Sequence, residues 1–299
     1  MKASSMSPRQ RSGAVAVARL DTGLADPQRE FQFSDADFRG LVELAYEYAG
    51  ISLADSKRNL VYSRLSRRLR FLNLQTFAEY RAFLAENPAE REGFINAIST
   101  NLTKFFREAH HFDHFREKIA APFNQAKPGN RLRVWSAGCS SGEEPYTIGV
   151  VLKREIRDIE RRDVRILATD IDTDVLARGV RGEYQSSGLD EVPRAYQEYF
   201  KSVAGGKGDN VIVDQAVRNL ISFKQLNLME PWPFKGLFDA IFCRNVMIYF
   251  DGPTKAKLIE RFTEKVKPGG FLYIGHSESL NGAHAGISLV GRTIYRREG

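Results

Sequence analysis

Residues 133–146 read Arg-Val-Trp-Ser-Ala-Gly-Cys-Ser-Ser-Gly-Glu-Glu-Pro-Tyr and join a short apolar run to a helical pattern. Ligands of open α/β sheets bind beyond the carboxyl ends of the strands, so this loop is the first place to look for a site. Gly138 and Gly142 would let a ligand approach the backbone closely. The loop lacks G-x-G-x-x-G, which argues against a dinucleotide, and it lacks the P-loop lysine, which argues against a nucleoside triphosphate. Glu143 and Glu144 follow Gly142 instead. Two carboxylates repel phosphate but suit a cationic ligand. A helix start whose glutamates favour the dipole explains the same two residues.

A second apolar run ends at Thr169-Asp170-Ile171-Asp172. An acidic side chain there can accept both ribose hydroxyls of a nucleoside. Its distance from the glycine loop exceeds the roughly 20 residues of the dinucleotide fingerprint. A helix N-cap is the other use for such a residue, and Asp172 could serve it. The glycine loop, the acidic strand end and a late Pro-Gly-Gly-strand together predict a nucleoside-binding methyltransferase fold. S-adenosylmethionine, with its ammonium and sulfonium, is the cationic nucleoside that fits. Residues 138–142 also match G-x-S-x-G, so a serine hydrolase using Ser140, with His276 downstream, is the alternative. Against it, no oxyanion-type glycine run precedes the serine, and two glutamates would sit where an oxyanion needs stabilising.

The elements that position these residues follow from periodicity. In the first half, Ser34 and Asp37 form a capping box before Phe38, Leu41, Ala45 and Tyr48, with Gly50 as the stop. A second helix over about 55–72 carries Val61, Leu65, Leu69 and Leu72 on one stripe. Thr76 and Glu79 suggest another capping box before Tyr80 and Leu84. Phe94, Ile95 and Ile98 mark a fourth helix, and Phe112 and Phe115 a fifth. After a Pro/Gly/Asn-rich stretch the period changes. Short apolar runs at 132–137, 164–169, 220–223, 237–243 and 271–274 alternate with helical segments, the last opened by Pro268-Gly269-Gly270. That alternation predicts an open, mostly parallel sheet. The fold class is therefore α/β, and the expected layout starts with a disordered leader over 1–30. An all-helical N-terminal domain over 31–120 and a linker over 121–130 come next. A Rossmann-like methyltransferase domain fills 131–299, with a small antiparallel β-subdomain inserted at 183–218.

The chain has 299 residues, enough for two domains, and 42% of them are hydrophobic. No apolar run approaches the roughly 18 residues of a membrane span, and no signal-peptide pattern opens the chain. Both facts predict a cytoplasmic protein without direct membrane insertion. Two lone cysteines, Cys139 and Cys243, predict no disulfide, and the scattered histidines give no metal-site spacing. The net charge of +7 points to an acidic partner. No nucleic-acid motif accompanies it, so nucleic acid is not the expected partner. Arg64, Arg67 and Arg68 stand at i, i+3 and i+4, with Lys57, Arg58 and Arg70 nearby.

Five stretches then carry a resemblance: residues 100–108 (TNLTKFFRE), 141–146 (SGEEPY), 170–172 (DID), 238–250 (FDAIFCRNVMIYF) and 275–278 (GHSE). From about Phe33 to Tyr295 the chain resembles the chemotaxis receptor methyltransferases, CheR. The resemblance implies transfer of a methyl group from S-adenosylmethionine to glutamates of methyl-accepting chemotaxis receptors, leaving S-adenosylhomocysteine. It places Asn101, Thr103 and Arg107 against the cofactor from the interdomain segment, Glu144 near its methionine part and Asp170 on the ribose. Asn227, Leu228, Arg244 and Asn245 complete that pocket. Arg107 and Tyr249 are the candidates nearest the chemistry. Receptor methylation segments are acidic helices in the cytoplasm, so the resemblance makes Arg64, Arg67 and Arg68 a docking face. It further implies a monomer recruited to chemoreceptor clusters. A receptor C-terminal peptide would dock on the β-subdomain, with residues 211–213 as the exposed edge. A noncatalytic receptor-binding module remains a further alternative on residues alone.

Overall fold

Heptad-like spacing of large apolar residues is enough to build the first half. The computed structural model describes residues 29–203, 209–278, 280 and 286–299. Nearly all of the expected leader, and the turn at 205–208, lie outside those residues. Four helices pack first: α1 (Asp35–Ala49), α2 (Arg58–Leu72), α3 (Phe77–Glu86) and α4 (Glu90–Ile98). Their shared core contains Phe38, Leu41, Ala45, Leu65, Leu69, Tyr80, Leu84 and Phe94, all buried. Each fully buried leucine contributes about 1.5–3 kcal/mol. The Ser34 capping box forms in both directions, Asp37 N–H to Ser34 Oγ at 3.1 Å and Ser34 N–H to Asp37 Oδ2 at 3.0 Å. At Thr76 only half of it forms. Thr76 Oγ1 accepts the Glu79 N–H at 3.1 Å, but the Glu79 carboxylate accepts from Gln75.

A fifth helix, α5 (His110–Phe115), leads into a π-turn and then the sheet. From there the chain runs β1 (Arg131–Ala137), α6 (Glu143–Glu155), β2 (Asp163–Asp170), α7 (Thr173–Arg181) and β3 (Glu183–Gln185). Next come α8 (Arg194–Gln197), β4 (Phe200–Ser202), β5 (Asn210–Val213), α9 (Gln215–Arg218) and β6 (Ile221–Gln225). It ends with β7 (Phe238–Cys243), α10 (Gly252–Lys265), β8 (Val266–Ile274), β9 (Ile287–Gly291) and β10 (Ile294–Arg297). Seven strands lie in the order β6-β2-β1-β7-β8-β10-β9. The pairs from β6 to β8 are parallel, and β10 is antiparallel to both its neighbours. Successive side chains alternate between the two faces. Val134, Phe242 and Tyr273 enter one core with α6, while Trp135, Ile241, Cys243 and Leu272 enter the other with α10. The sheet's two sides are thus each covered by helices, as parallel strands require.

Three expectations change. The turn at 268–270 lies inside β8: Phe238 pairs with Val266 but Ala240 with Phe271, so the extra residues bulge. Gly269 takes φ +77° there. In the inserted subdomain β5 is the central strand, antiparallel to β3 and β4. Residues 211–213 therefore form no edge, and the edges are β3 and β4. The three arginines of α2 do not form one free face. Arg64 donates to the carbonyls of Ile98 and Ser99 at 2.7 and 2.6 Å, closing the end of α4. Arg68 forks onto Glu90, with Nε to Oε1 at 2.9 Å, and Tyr80 donates to the same carboxylate at 2.9 Å. Only Arg67 of the three is exposed and without such a partner.

These roles separate by stability. Arg64→Ala and Arg68→Ala should each cost about 1.5–3 kcal/mol, the range for hydrogen bonds to a charged group. Arg67→Ala should stay within about 0.5 kcal/mol of the parent chain. Urea unfolding of the three variants checks this, and equal losses at all three positions would contradict the assignment.

Candidate active site

The carboxyl ends of β1, β2 and β7 lie side by side, and the expected residues meet there. Gly138 and Cys139 donate their N–H groups to the Thr169 carbonyl at 2.8 and 2.9 Å, tying the first loop to β2. The next residue, Ser140, takes φ +50° and donates its N–H to Asp170 Oδ2 at 2.7 Å. Asp172 N–H donates to Asp170 Oδ1 at 3.0 Å. Asp170 is 8% exposed. Burial pushes its pKa up to about 6 against the pull of those N–H groups. Asp172 takes the N-cap role: its Oδ1 accepts from Asp174 and Val175 at 2.9 and 3.2 Å, and its Oδ2 accepts the Asn101 amide at 2.6 Å. The N-cap role that the sequence left open thus falls to Asp172, while Asp170 holds the backbone of the first loop and of its own strand end.

A Cβ on Gly138 would lie 2.3 Å from Val246, and one on Gly142 2.8 Å from the Tyr184 hydroxyl. These glycines make room for the protein's own side chains. The hydrolase arrangement does not form. The Ser140 hydroxyl is buried without a partner, and the His276 ring contacts Glu108 and Ser277 instead, both at 3.1 Å.

Arg244, directly after β7, is the centre of the polar network. Its side chain is 2% exposed. Nη1 donates to Glu144 Oε2 at 3.0 Å, Nη2 donates to the Arg107 carbonyl, and Glu108 Oε2 lies 3.5 Å away. Glu144 also accepts the Ser136 hydroxyl at 2.7 Å. Burial raises the Glu144 pKa, and Arg244 draws it back. Both Glu144 oxygens are thus engaged within the protein, while the buried Arg244 Nε has no partner among the described residues.

Residues 100–108 cross this end of the sheet. Phe106 and Glu108 both hold left-handed backbone, with φ +50° and +56° on either side of Arg107, a conformation that costs energy outside glycine. Arg107 is half-buried and spends Nη1 on the Leu102 carbonyl at 2.8 Å. Tyr249 donates its hydroxyl to the Thr100 carbonyl at 3.1 Å. Burial raises the Tyr249 pKa, while the positive charges of Arg107 and Arg64 pull it down.

Asn227 anchors by Nδ2 to the Tyr48 carbonyl at 2.7 Å, and Leu228 is buried. The preceding Leu226 N–H donates to the Asp170 carbonyl at 2.9 Å, which places both beside the acidic strand end. Asn245 takes φ +60° and donates its N–H to Glu278 at 2.7 Å. Thr103 is half-buried and makes no side-chain hydrogen bond among those described. Sequence reasoning gave no role to Glu108 or Glu278. It also missed that ligand atoms of Glu108, His110 and His111 lie within 4.8 Å of one another. Arg244 beside Glu108 fills that corner with a fixed positive charge. Only the TNLTKFFRE and GHSE strings signalled the two glutamates.

A nucleoside with a polar amino-acid tail suits this set of charged groups. Asp170 presents a carboxylate at the end of β2, and Arg244 a guanidinium directly after β7. Comparison with known proteins agrees. Residues 101–296 match the family described as "CheR methyltransferase, SAM binding domain", and residues 36–99 match "CheR methyltransferase, all-alpha domain". The chain is similar to chemotaxis protein methyltransferase 2 of Pseudomonas aeruginosa, with 43% identity over 89% of this chain and 95% of that one. Chemotaxis protein methyltransferases of Klebsiella aerogenes and Salmonella typhimurium are 41% and 45% identical. They cover 96% and 88% of this chain, and 98% and 90% of their own length.

Asp170 sets a pH prediction. Its folded pKa lies above the ordinary 3.8, so its contribution to stability is complete below about 3.8 and is lost as pH rises through about 6. The difference in unfolding free energy between the parent chain and Asp170→Asn should shrink by on the order of 3 kcal/mol across that window. Denaturant unfolding from pH 4 to 7 measures it, and a flat difference would show that the carboxylate carries no such load.

Proposed function

The chain belongs to the CheR methyltransferase family, and we infer that it is an S-adenosylmethionine-dependent protein-glutamate O-methyltransferase acting on bacterial chemoreceptors. The observation that carries this reading is that one segment, residues 100–108, carries Arg107 and meets both Asp172 beside Asp170, through Asn101, and Tyr249, through the Thr100 carbonyl. Cofactor and acceptor groups therefore share one wall.

When bound, S-adenosylmethionine supplies a methyl group on a sulfonium centre. Asp170 would accept the ribose hydroxyls, and Asn101, Thr103, Asn227, Leu228 and Asn245 would enclose the nucleoside. Arg244, held by Glu144, would set the positive charge on the side of the methionine part. No residue has to remove a proton, because a glutamate carboxylate is already ionised at neutral pH. Arg107 keeps the rest of its fork beyond Nη1 for two-point contact with the incoming carboxylate. That contact orients the acceptor for in-line transfer, where positioning supplies much of the rate. Tyr249, its hydroxyl proton held by the Thr100 carbonyl, stands as a fixed wall beside it. The charges of sulfonium and carboxylate cancel as the methyl moves, so a wall that excludes water favours the step. Arg67 steers the acidic receptor helix.

The protein works as a monomer recruited to receptor clusters. A receptor C-terminal peptide adds as a fourth strand to β3 or β4, the open edges around β5, gaining backbone hydrogen bonds. Such a tether raises the local enzyme concentration without touching the cleft. Among the described residues, no helix is long and apolar enough to cross a membrane.

Two measurements test these assignments. Arg107→Ala should lower labelled methyl transfer to purified receptor by at least about tenfold, the equivalent of one charge-assisted hydrogen bond. Ser140→Ala should keep the rate within about threefold, because its hydroxyl holds nothing in place; a larger loss at Ser140 than at Arg107 would reverse the roles. Titration with synthetic receptor C-terminal peptides should give saturable binding that a proline in β4 at Lys201 or in β3 at Tyr184 removes, since proline disrupts an edge. Binding unaffected by either substitution would move the tether elsewhere.

A further inference from the structure

Glu278 is a buried carboxylate that the proposed chemistry does not use, 8% exposed in the short turn after β8. It has no ion-pair partner among the described residues. Its Oε2 accepts the N–H groups of Gly275 and Asn245, both at 2.7 Å. Its Oε1 accepts the N–H of Ile248 at 3.0 Å, and the Met247 N–H adds to the same field. Burial alone would penalise this charge, and only backbone donors offset it. Three of those four donors belong to residues 244–249, which reverse direction after β7.

That loop carries Arg244 to Glu144, sets Val246 into the space over Gly138, and ends in the 3-10 turn Met247–Tyr249. Its backbone is held in a costly shape, with Asn245 in the left-handed region. Gly275 is fitted to it as well: a Cβ there would lie 2.5 Å from the Asn245 amide and 2.7 Å from Glu278 Oε2. Nothing else described on the loop ties Asn245 and Ile248 to one group.

We propose that Glu278 is a positioning residue for methyl transfer, holding residues 244–249 in the shape that sets Asn245 on the cofactor side and Tyr249 on the acceptor side. The inference rests on the methyltransferase reading above. The two carboxylate oxygens serve different halves of the loop. Oε2 holds the Asn245 half, and Oε1 holds the turn that aims Tyr249. A glutamine keeps one acceptor and replaces the other with an NH2 group, which cannot accept an N–H. With its oxygen at the Oε2 position it retains Gly275 and Asn245 and releases Ile248.

The test uses the full chain with S-adenosylhomocysteine as the binding probe and purified receptor as the acceptor. Glu278→Gln should bind S-adenosylhomocysteine within about threefold of the parent while kcat falls at least about tenfold, because the cofactor half is kept and the Tyr249 half is lost. Glu278→Ala should lose at least about tenfold in both, because neither half is held. A purely structural role would lower the folded fraction, reducing binding stoichiometry and rate together while leaving Kd unchanged in both variants. That pattern, or parental kcat in Glu278→Gln, overturns the proposal. If Glu278→Ala does not fold, the split in Glu278→Gln alone decides it. Absence of methyl transfer by the parent chain would instead defeat the methyltransferase reading, so the two failures are distinct.

Discussion

Arg244 is the constraint on which the rest of the structure depends. A guanidinium that is 2% exposed requires anions and acceptors around it, because an unpaired buried charge costs several kcal/mol. The fold supplies them from three places: Glu144 on the first turn of α6, and Glu108 and the Arg107 carbonyl from the crossing segment. Meeting those partners forces the segment onto the carboxyl ends of the strands. Left-handed backbone at Phe106 and Glu108 flanks Arg107, whose carbonyl meets Arg244 while its side chain turns to the Leu102 carbonyl. The helical unit is drawn in as well, because Arg64 closes the end of α4 immediately before that segment.

The molecule separates its charges. The net charge is +7, yet Glu143, Glu144, Asp170, Asp172 and Glu278 are all gathered at one end of the sheet with pKa values raised by burial. Such crowding opposes folding, since each carboxylate would be better hydrated outside. Backbone N–H groups offset it at Asp170, Asp172 and Glu278, and Arg244 offsets it at Glu144. The buried carboxylates are thus matched within the protein, while Arg67 stays exposed on α2.

Local signals were legible in the sequence and non-local ones were not. The Ser34–Asp37 box, the α2 stripe and the five apolar runs of the parallel strands each depend on residues within a few positions, and each forms. The half-formed box at Thr76 marks the limit, since the same spacing lets Glu79 choose Gln75. The helical period placed Arg64, Arg67 and Arg68 together. It could not reveal that α4 would present two carbonyls to the first and Glu90 to the last. Likewise, Val211 and its neighbours read as a β-strand, but whether that strand is central or at an edge depends on β3 and β4. In the site, the glycine loop and the acidic strand end were visible as residue types. Glu278 was not, because a carboxylate whose partners are all backbone N–H groups has no complementary side chain to spot.

The Arg244 contacts also order events in time. Its bonds to Glu144 and to the Arg107 carbonyl close loops of 100 and 137 residues, and Tyr249 to Thr100 closes 149. Contacts of such sequence separation form late, because loop-closure entropy is met before they stabilise anything. The four helices of the N-terminal unit, joined by short connections, can form as soon as residues 29–98 have been synthesised. The crossing segment cannot take its final path until β7 is in place. That end of the sheet is therefore the last part of the molecule to be completed, and an emerging chain has its N-terminal helices folded well before Arg244 meets its partners.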